Sequence, residues 1–389
     1  MIDYEKILNP RVTELKPSGI RKFFDIAEQM EGVISLGVGE PDFQTPWQIR
    51  KEGIKSLEDS HTRYTSNLGM KKLRDTISNY VEKKYSVSYN PENEIIVTVG
   101  GSEAIDLAIR SVVCSGDEVI IPQPSYVCYE PITLLSGGKP VIIETKAEDN
   151  FKLTAESLRE KITPKTKALI LPYPCNPTGA VMEKKDLEMI VEVLKDTNIL
   201  VISDEIYAEL TFKGRHTSIA SIPHMRERTL VINGFSKAFS MTGWRLGYAC
   251  GPKELIKQIV KIHQYAIMCA PTTSQYAAIA AMTSCDSMVE EMIEEYDVRR
   301  RIIVDGFNKI GLTCHEPGGA FYAFPSIQST GMKSEEFCEE LLRKKKVAIV
   351  PGTAFGECGE GFVRASYCYS TEHISEALKR IGEFIKEII

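Results

Sequence analysis

Residues 167–207 read KALILPYPCNPTGAVMEKKDLEMIVEVLKDTNILVISDEIY. Two short β-branched runs, KALILP and ILVISD, flank a segment in which Leu187, Ile190, Val191 and Leu194 recur at helical spacing. Apolar residues three and four apart share one face of a helix, whereas runs apolar throughout suit strands buried on both sides. Strand, helix, strand is the unit of a parallel sheet, because the chain must cross back before it can run in the same direction again. The pattern extends outward: EIIVTV (94–99), DEVIIP (117–122) and TLVING (229–234) are further runs separated by helical stretches. From about Glu94 to Gly251 the chain therefore predicts an α/β fold, a three-layer α/β/α large domain around a mostly parallel sheet.

Beyond this region the pattern changes. MVEEMIEEYDVRRRIIVDGFNKIG (288–311) reads as one long helix leaving the large domain. GAFYAFPSI (319–327), VAIVPG (347–352) and GFVRASYC (361–368) read as short strands of a smaller α/β unit. The first 47 residues read as irregular, with one helix over SGIRKFFDIAEQM (18–30) that Ser18 suits as an N-cap. The expected division is 1–47, an N-terminal arm and part of the small domain; 48–288, the large domain; and 289–389, the small domain. No repeat or low-complexity segment interrupts it.

Composition excludes several classes. The chain of 389 residues is 43% hydrophobic and 26% charged, with a formal net charge of −6. The basic run Lys344–Lys346 is too short for a nucleic-acid footprint. No apolar run approaches membrane-spanning length, and MIDYEKILNP lacks the apolar core of a secretory leader. The ten cysteines show no C-x-x-C and no His cluster at metal spacing. The expectation is a cytoplasmic protein with reduced thiols, no metal, and neither membrane nor nucleic acid as partner.

Several of the unusual polar motifs fall just past strands. Gly100-Gly101-Ser102-Glu103 follows EIIVTV, Pro124-Ser125-Tyr126 follows DEVIIPQ, and Asn176-Pro177-Thr178-Gly179 follows KALILPYPC. Asp204-Glu205-Ile206-Tyr207 ends ILVIS, and Lys237 follows TLVINGFS with Arg245 eight residues on. Taken singly, each has an ordinary reading: a tight turn with a serine cap, a common proline turn, a helix cap, a solvated charge. Jointly they mean more, because ligands of open α/β sheets bind beyond the carboxyl ends of the strands. Free N–H groups at a helix start suit a phosphate. A lysine in an apolar setting, a carboxylate, an aromatic and an arginine add what pyridoxal 5′-phosphate needs. Its aldehyde takes the amine, its ring nitrogen the acid, its ring face the aromatic and its phosphate the arginine.

On these motifs the whole chain resembles the fold-type I, pyridoxal-phosphate-dependent class I/II aminotransferases, closest to the branch with aspartate, aromatic and N-acetyl-diaminopimelate enzymes. The resemblance implies that Lys237 forms the Schiff base and Arg245 clamps the phosphate. Asp204 pairs with the ring nitrogen, Tyr207 and Asn176 with the 3′ oxygen, and Tyr126 stacks on the ring. Gly101, Ser102 and Glu103 offer backbone donors to the phosphate. Arg364 matches the arginine for the substrate α-carboxylate, with Gly39 of SLGVGEPDF its backbone partner. Tyr64 matches a tyrosine that reaches the phosphate across a homodimer interface. One position departs: where some members carry a serine three residues before the lysine, this chain has Gly234, and Ser236 is the substitute hydroxyl.

The function so implied is transfer of an amino group from an L-amino acid to a 2-oxo acid, 2-oxoglutarate first among them, by a ping-pong cycle with Lys237 as proton carrier. A carbon–sulfur β-lyase would share most of these residues. A cofactor-sensing transcription regulator would need a DNA-binding module, for which the resemblance, starting within the first few dozen residues, leaves no room. The donor is expected to be aspartate, an aromatic amino acid or N-acetyl-LL-diaminopimelate. Arg21 and Lys22, beside Phe23 and Phe24, are the cations and aromatics expected at the pocket mouth.

Overall fold

The computed structural model describes residues 2–17, 19 and 30–388. Two single-turn helices, Tyr4–Ile7 and Pro10–Thr13, precede strand β1 (Ile34–Ser35), so the first 47 residues are less irregular than their sequence suggests. The helix expected over 18–30, with Ser18, Arg21, Lys22, Phe23 and Phe24, lies outside the described residues but for Gly19 and Met30. Seven strands follow: β2 (Ile95–Thr98), β3 (Glu118–Gln123), β4 (Lys139–Glu144), β5 (Thr166–Leu171), β6 (Leu200–Asp204), β7 (Thr229–Gly234) and β8 (Gly247–Cys250). They form one sheet in the order β2-β8-β7-β6-β5-β3-β4. Only β8 runs against its neighbours; the pairings among β3, β4, β5, β6 and β7 are parallel.

Alternate residues of each run enter different cores, which is why the runs are apolar at every position. Ile96, Ile202 and Ile232 pack with Ile105 and Ile109 of helix Gly101–Val112 and Ile256 and Ile259 of helix Lys253–Ala266. On the other face Leu169, Leu171 and Val201 meet Leu187, Ile190 and Leu194 of helix Lys184–Leu194, while Val97 and Val231 join a third cluster. The helix 184–194 starts with a capping box between Glu183 and Asp186. Two strands of the sheet were not read from sequence. The edge strand β4 is half-exposed and opens on Lys-Pro; β8 is four residues, Gly-Tyr-Ala-Cys, too short and small to declare itself.

The 24-residue helix Asp286–Lys309, about 36 Å long, packs against the helix Thr371–Ile388. Four short strands complete the fold: β9 (Tyr322–Ala323), β10 (Val347–Ala348), β11 (Val350–Pro351) and β12 (Val363–Ser366). The run VAIVPG serves two sheets. Its first half, β10, pairs in parallel with β1, and its second, β11, lies antiparallel to β12, which pairs with β9. All ten cysteines are free of disulfides, and Cys175, Cys250, Cys285, Cys314, Cys338 and Cys368 are buried. Among the described residues no helix is long and apolar enough to cross a membrane.

Candidate active site

The parallel strands deliver their carboxyl ends to one edge of the sheet, and β2, opposed to β8, points the same way as β7. A cavity of about 890 Å³ opens there. It is lined by Gly39, Gly101, Ser102, Tyr126, Asn176, Asp204, Tyr207, Ser236, Lys237, Arg245 and Arg364. Of the residues to which the resemblance gives a contact with cofactor or substrate, Glu103 and Tyr64 stand outside that lining.

The spacing of Lys237 and Arg245 follows from the strand pair around them. Lys237 leaves β7 and Arg245 precedes the returning β8, so both ends of the turn face the cavity. Lys237 Nζ donates to the carbonyl of Gly39 at 2.8 Å and stands 5.9 Å from the ring centre of Tyr207 and 5.7 Å from that of Phe321. Burial lowers its amine to a pKa of about 8. Gly100 (φ +79°), between β2 and the helix Gly101–Val112, lies beside Arg245: a Cβ there would lie 2.9 Å from the guanidinium Nη2. Close packing of a different kind surrounds Gly234. A Cβ at that position would meet Gly247 Cα and Ile206 Cδ1 at 3.0 Å each, so a serine there would crowd β7 against β8. Ser236 lies buried on the cavity wall two residues on.

Helix Gly101–Val112 starts at the cavity, and the N–H groups of its first turn have no acceptor within the helix. The Glu103 carboxylate turns elsewhere. One oxygen accepts from the Val99 N–H and the other meets His263 Nδ1 at 2.7 Å, which ties the first turn down and leaves Glu103 only its backbone to offer a ligand.

Asp204 ends β6, fully inside the protein. Its carboxylate accepts from the Tyr129 hydroxyl at 2.7 Å and from the Ile206 N–H at 3.2 Å. Burial raises its pKa to about 6 against the pull of these two donors. The rings of Tyr126 and Tyr129 meet edge to face, 5.8 Å apart. Tyr207 shares a 2.9 Å hydrogen bond with the hydroxyl of Tyr322. Asn176 accepts from Arg364 Nη1 at 2.9 Å, and Arg364 Nη2 donates to the carbonyl of Gly37. The guanidinium carbon sits 4.5 Å from the Tyr322 ring centre and 4.8 Å from that of Phe355. Burial lowers the pKa of Arg364, the neighbouring tyrosines opposing it. Among the described residues its Nε is buried without a hydrogen-bond partner. A buried, unmet donor is costly, and a carboxylate would satisfy it.

Two members of this arrangement were missed in the sequence. Tyr129 follows Tyr126 by three residues, a spacing that places two side chains together at a helix start. Tyr322 lies in GAFYAFPSI, where it reads only as a strand residue, and no local signal separates it from the aromatics around it.

These groups fit pyridoxal 5′-phosphate: an anion-ready helix start beside an arginine, a lysine whose pKa burial lowers, a buried acid, and an arginine with an open donor. Comparison with known proteins agrees. Residues 31–381 match the family described as aminotransferase class I and II. A putative aminotransferase of Bacillus subtilis, YugH, is 53% identical over 97% of this chain and 98% of its own length. A probable N-acetyl-LL-diaminopimelate aminotransferase of the same organism is 45% identical over 98% of this chain and 96% of its own. The crystal structure of an aromatic aminotransferase from Pyrococcus horikoshii superposes with a TM-score of 0.90, at 43% identity, covering 94% of this chain and 99% of that one. The chain belongs to the class I and II aminotransferases, and it is an aminotransferase dependent on pyridoxal 5′-phosphate.

Proposed function

We propose that this enzyme moves an amino group from an L-amino acid to 2-oxoglutarate in two half-reactions at one site, with Lys237 as the cofactor's lysine and Arg364 gripping the α-carboxylate of each substrate. The observation that carries this reading is the strap 37–39. Lys237 and Arg364 both donate to its carbonyls, so the amine that would carry the cofactor and the guanidinium that would take the substrate's carboxylate are set from a single short segment. When bound, pyridoxal 5′-phosphate supplies an aldehyde for amines and a ring that draws electrons from the substrate's α-carbon. Asp204, as a carboxylate, keeps the ring nitrogen protonated. Tyr207 and Asn176 serve the ring oxygen, and Tyr126 covers the ring face. Arg245, Ser236 and the N–H groups of Gly101, Ser102 and Glu103 hold the phosphate. Arg364 Nε completes a two-point grip on the α-carboxylate, Gly39 adds its backbone, and the α-proton is thereby aimed at Lys237. With a pKa near 8, the Lys237 amine is neutral often enough at neutral pH to take that proton and hand it on.

The donor follows from charge. Among the described residues the cavity offers three cations, Lys237, Arg245 and Arg364, and each already has a task. A donor with a distal carboxylate needs a fourth, since a buried unpaired carboxylate is too costly. Arg21 or Lys22 supplies it, with Phe23 and Phe24 for aromatic donors. Aspartate, an aromatic amino acid and N-acetyl-LL-diaminopimelate are the donors to test, each against 2-oxoglutarate and scored for both oxo acid and glutamate. Arg21→Ala should weaken acidic donors more than aromatic ones. Equal loss, or activity confined to small neutral donors such as alanine, overturns the assignment. Nothing in the site or its relatives favours a carbon–sulfur β-lyase.

The working unit is a cytoplasmic homodimer. Tyr64 supports it: its side chain stands 80% exposed on one chain and outside the cavity, as suits a residue completing the partner's phosphate site. The same reading divides the chain into an arm (1–47), a large domain (48–288) and a small domain (289–389). The pairing of β1 with β10 supports joining part of the arm to the small domain.

A further inference from the structure

Tyr322 sits where three parts of the site meet. On β9 it lies opposite Ser366 of β12, two residues along from Arg364. Its ring forms one wall of the Arg364 slot, with Phe355 opposite. Its hydroxyl, fully buried, makes the 2.9 Å contact with the hydroxyl of Tyr207. The position admits no slack: a Cβ on Gly39 would fall 1.9 Å from the Tyr322 oxygen, so the strap that receives Lys237 is moulded onto this hydroxyl.

We propose that Tyr322 is a positioning residue that donates its proton to Tyr207, so that the single proton of Tyr207 is turned toward the cofactor, while its ring holds Arg364 in place for the carboxylate. The direction follows from counting protons. A hydroxyl has one, and if Tyr207 spends it on the ring oxygen, the contact between the two tyrosines must be made by Tyr322 as donor. Accepting one hydrogen bond strengthens the one given, so Tyr207 becomes a better donor than a lone phenol. Burial pushes the Tyr322 hydroxyl up to a pKa of about 12, and it stays protonated throughout the working range. The sequence hides this role because it arises between β9 and the turn after β6, 115 residues apart.

The proposal rests on Tyr207 contacting the cofactor, and the experiment separates the two. In holoenzyme, the pH midpoint at which the bound cofactor's absorbance titrates reports on donors to the ring oxygen, because such donors favour the deprotonated chromophore. Tyr322→Phe keeps the ring and removes only the hydroxyl. It should raise that midpoint by about half a unit to one unit, with the KM for amino donors little changed. Tyr322→Leu, which also removes the wall of the arginine slot, should in addition raise KM for every donor. In a Tyr207→Phe background, Tyr322→Phe should have no further effect on the midpoint. A midpoint moved by Tyr207→Phe but not by Tyr322→Phe overturns the relay and leaves Tyr207 in its role. Equal shifts from Tyr322→Phe with and without Tyr207 overturn it as well. No shift from either variant removes Tyr207 from the cofactor, and the relay with it.

Discussion

Lys237 and Asp204 are both held in a state their surroundings oppose. Burial lowers the lysine from 10.5 to about 8 and raises the aspartate from 3.8 to about 6. The signs are opposite in pH. For Lys237 the unfolded chain binds more protons between pH 8 and 10.5; its cost to the cofactor-free fold is full below pH 8 and gone above 10.5. For Asp204 the folded chain binds more protons between pH 3.8 and 6; its cost is absent below that window and full above it. Between pH 6 and 8 the cofactor-free protein therefore carries both penalties. Lys237→Met should stabilise the cofactor-free protein at pH 7 by up to about 3 kcal/mol, a gain that disappears in melts above pH 10.5. Unchanged melting at pH 7 would mean the amine is hydrated. In the holoenzyme, borohydride should fix pyridoxyl on Lys237, and a label on another lysine would refute its assignment. Asp204→Asn should fold and bind cofactor yet lose about 10³-fold in turnover, checked by steady-state kinetics with the best donor.

At the scale of elements, the site is made by the turn between β7 and β8 and by the helix start behind it. Gly247 shows how little space remains: a Cβ there would lie 2.7 Å from the carbonyl carbon of Gly100 and 2.8 Å from the Gly101 nitrogen. Three backbones thus pass in contact, and the helix start is wedged against the strand pair that carries Lys237 and Arg245. Gly234→Ser, though it imitates other members of the family, should destabilise this protein by about 1–3 kcal/mol through overpacking. Differential scanning of the wild type and variant checks it; a variant as stable as wild type would show that β7 and β8 can separate at no cost. The turn after β6 is anchored from below in a comparable way. Buried Glu205 accepts from the hydroxyls of Ser203 and Ser218, and Glu209 accepts from those of Tyr80 and Tyr85. These partners hold the segment that carries Asp204 and Tyr207.

For the whole molecule, the proposed sharing of sites between two chains makes a prediction that no single chain can meet. On that proposal a Tyr64→Ala dimer would lack its contribution to both phosphates, and a Lys237→Ala dimer would be inactive. Unfolded together and refolded, the two should form mixed dimers in which one site of each pair has both residues. Activity should recover to roughly a quarter of wild type at random assortment of chains. No recovery, with light scattering showing a monomer at assay concentration, would rule out sharing. The parts of this molecule legible in the sequence are those set by local chemistry. Runs apolar at every position require strands covered on both faces, and the 3.6-residue rhythm of Leu187, Ile190 and Leu194 requires a helix over one of them. Polar residues just past such strands must lie at one sheet edge, because parallel strands end together; hence Lys237, Asp204 and Asn176 could be named as one site, with Arg245 joined to them by its place eight residues after Lys237. What the tertiary structure alone decided are relations between segments remote in sequence and set by packing. These are the return of β8 beside β7, the division of VAIVPG between two sheets, the Glu103 carboxylate turned to His263, and the hydroxyls of Tyr129 and Tyr322 brought to Asp204 and Tyr207. A tyrosine in an apolar run looks the same in sequence whether its hydroxyl meets water or a catalytic group, and only the fold chooses its partner.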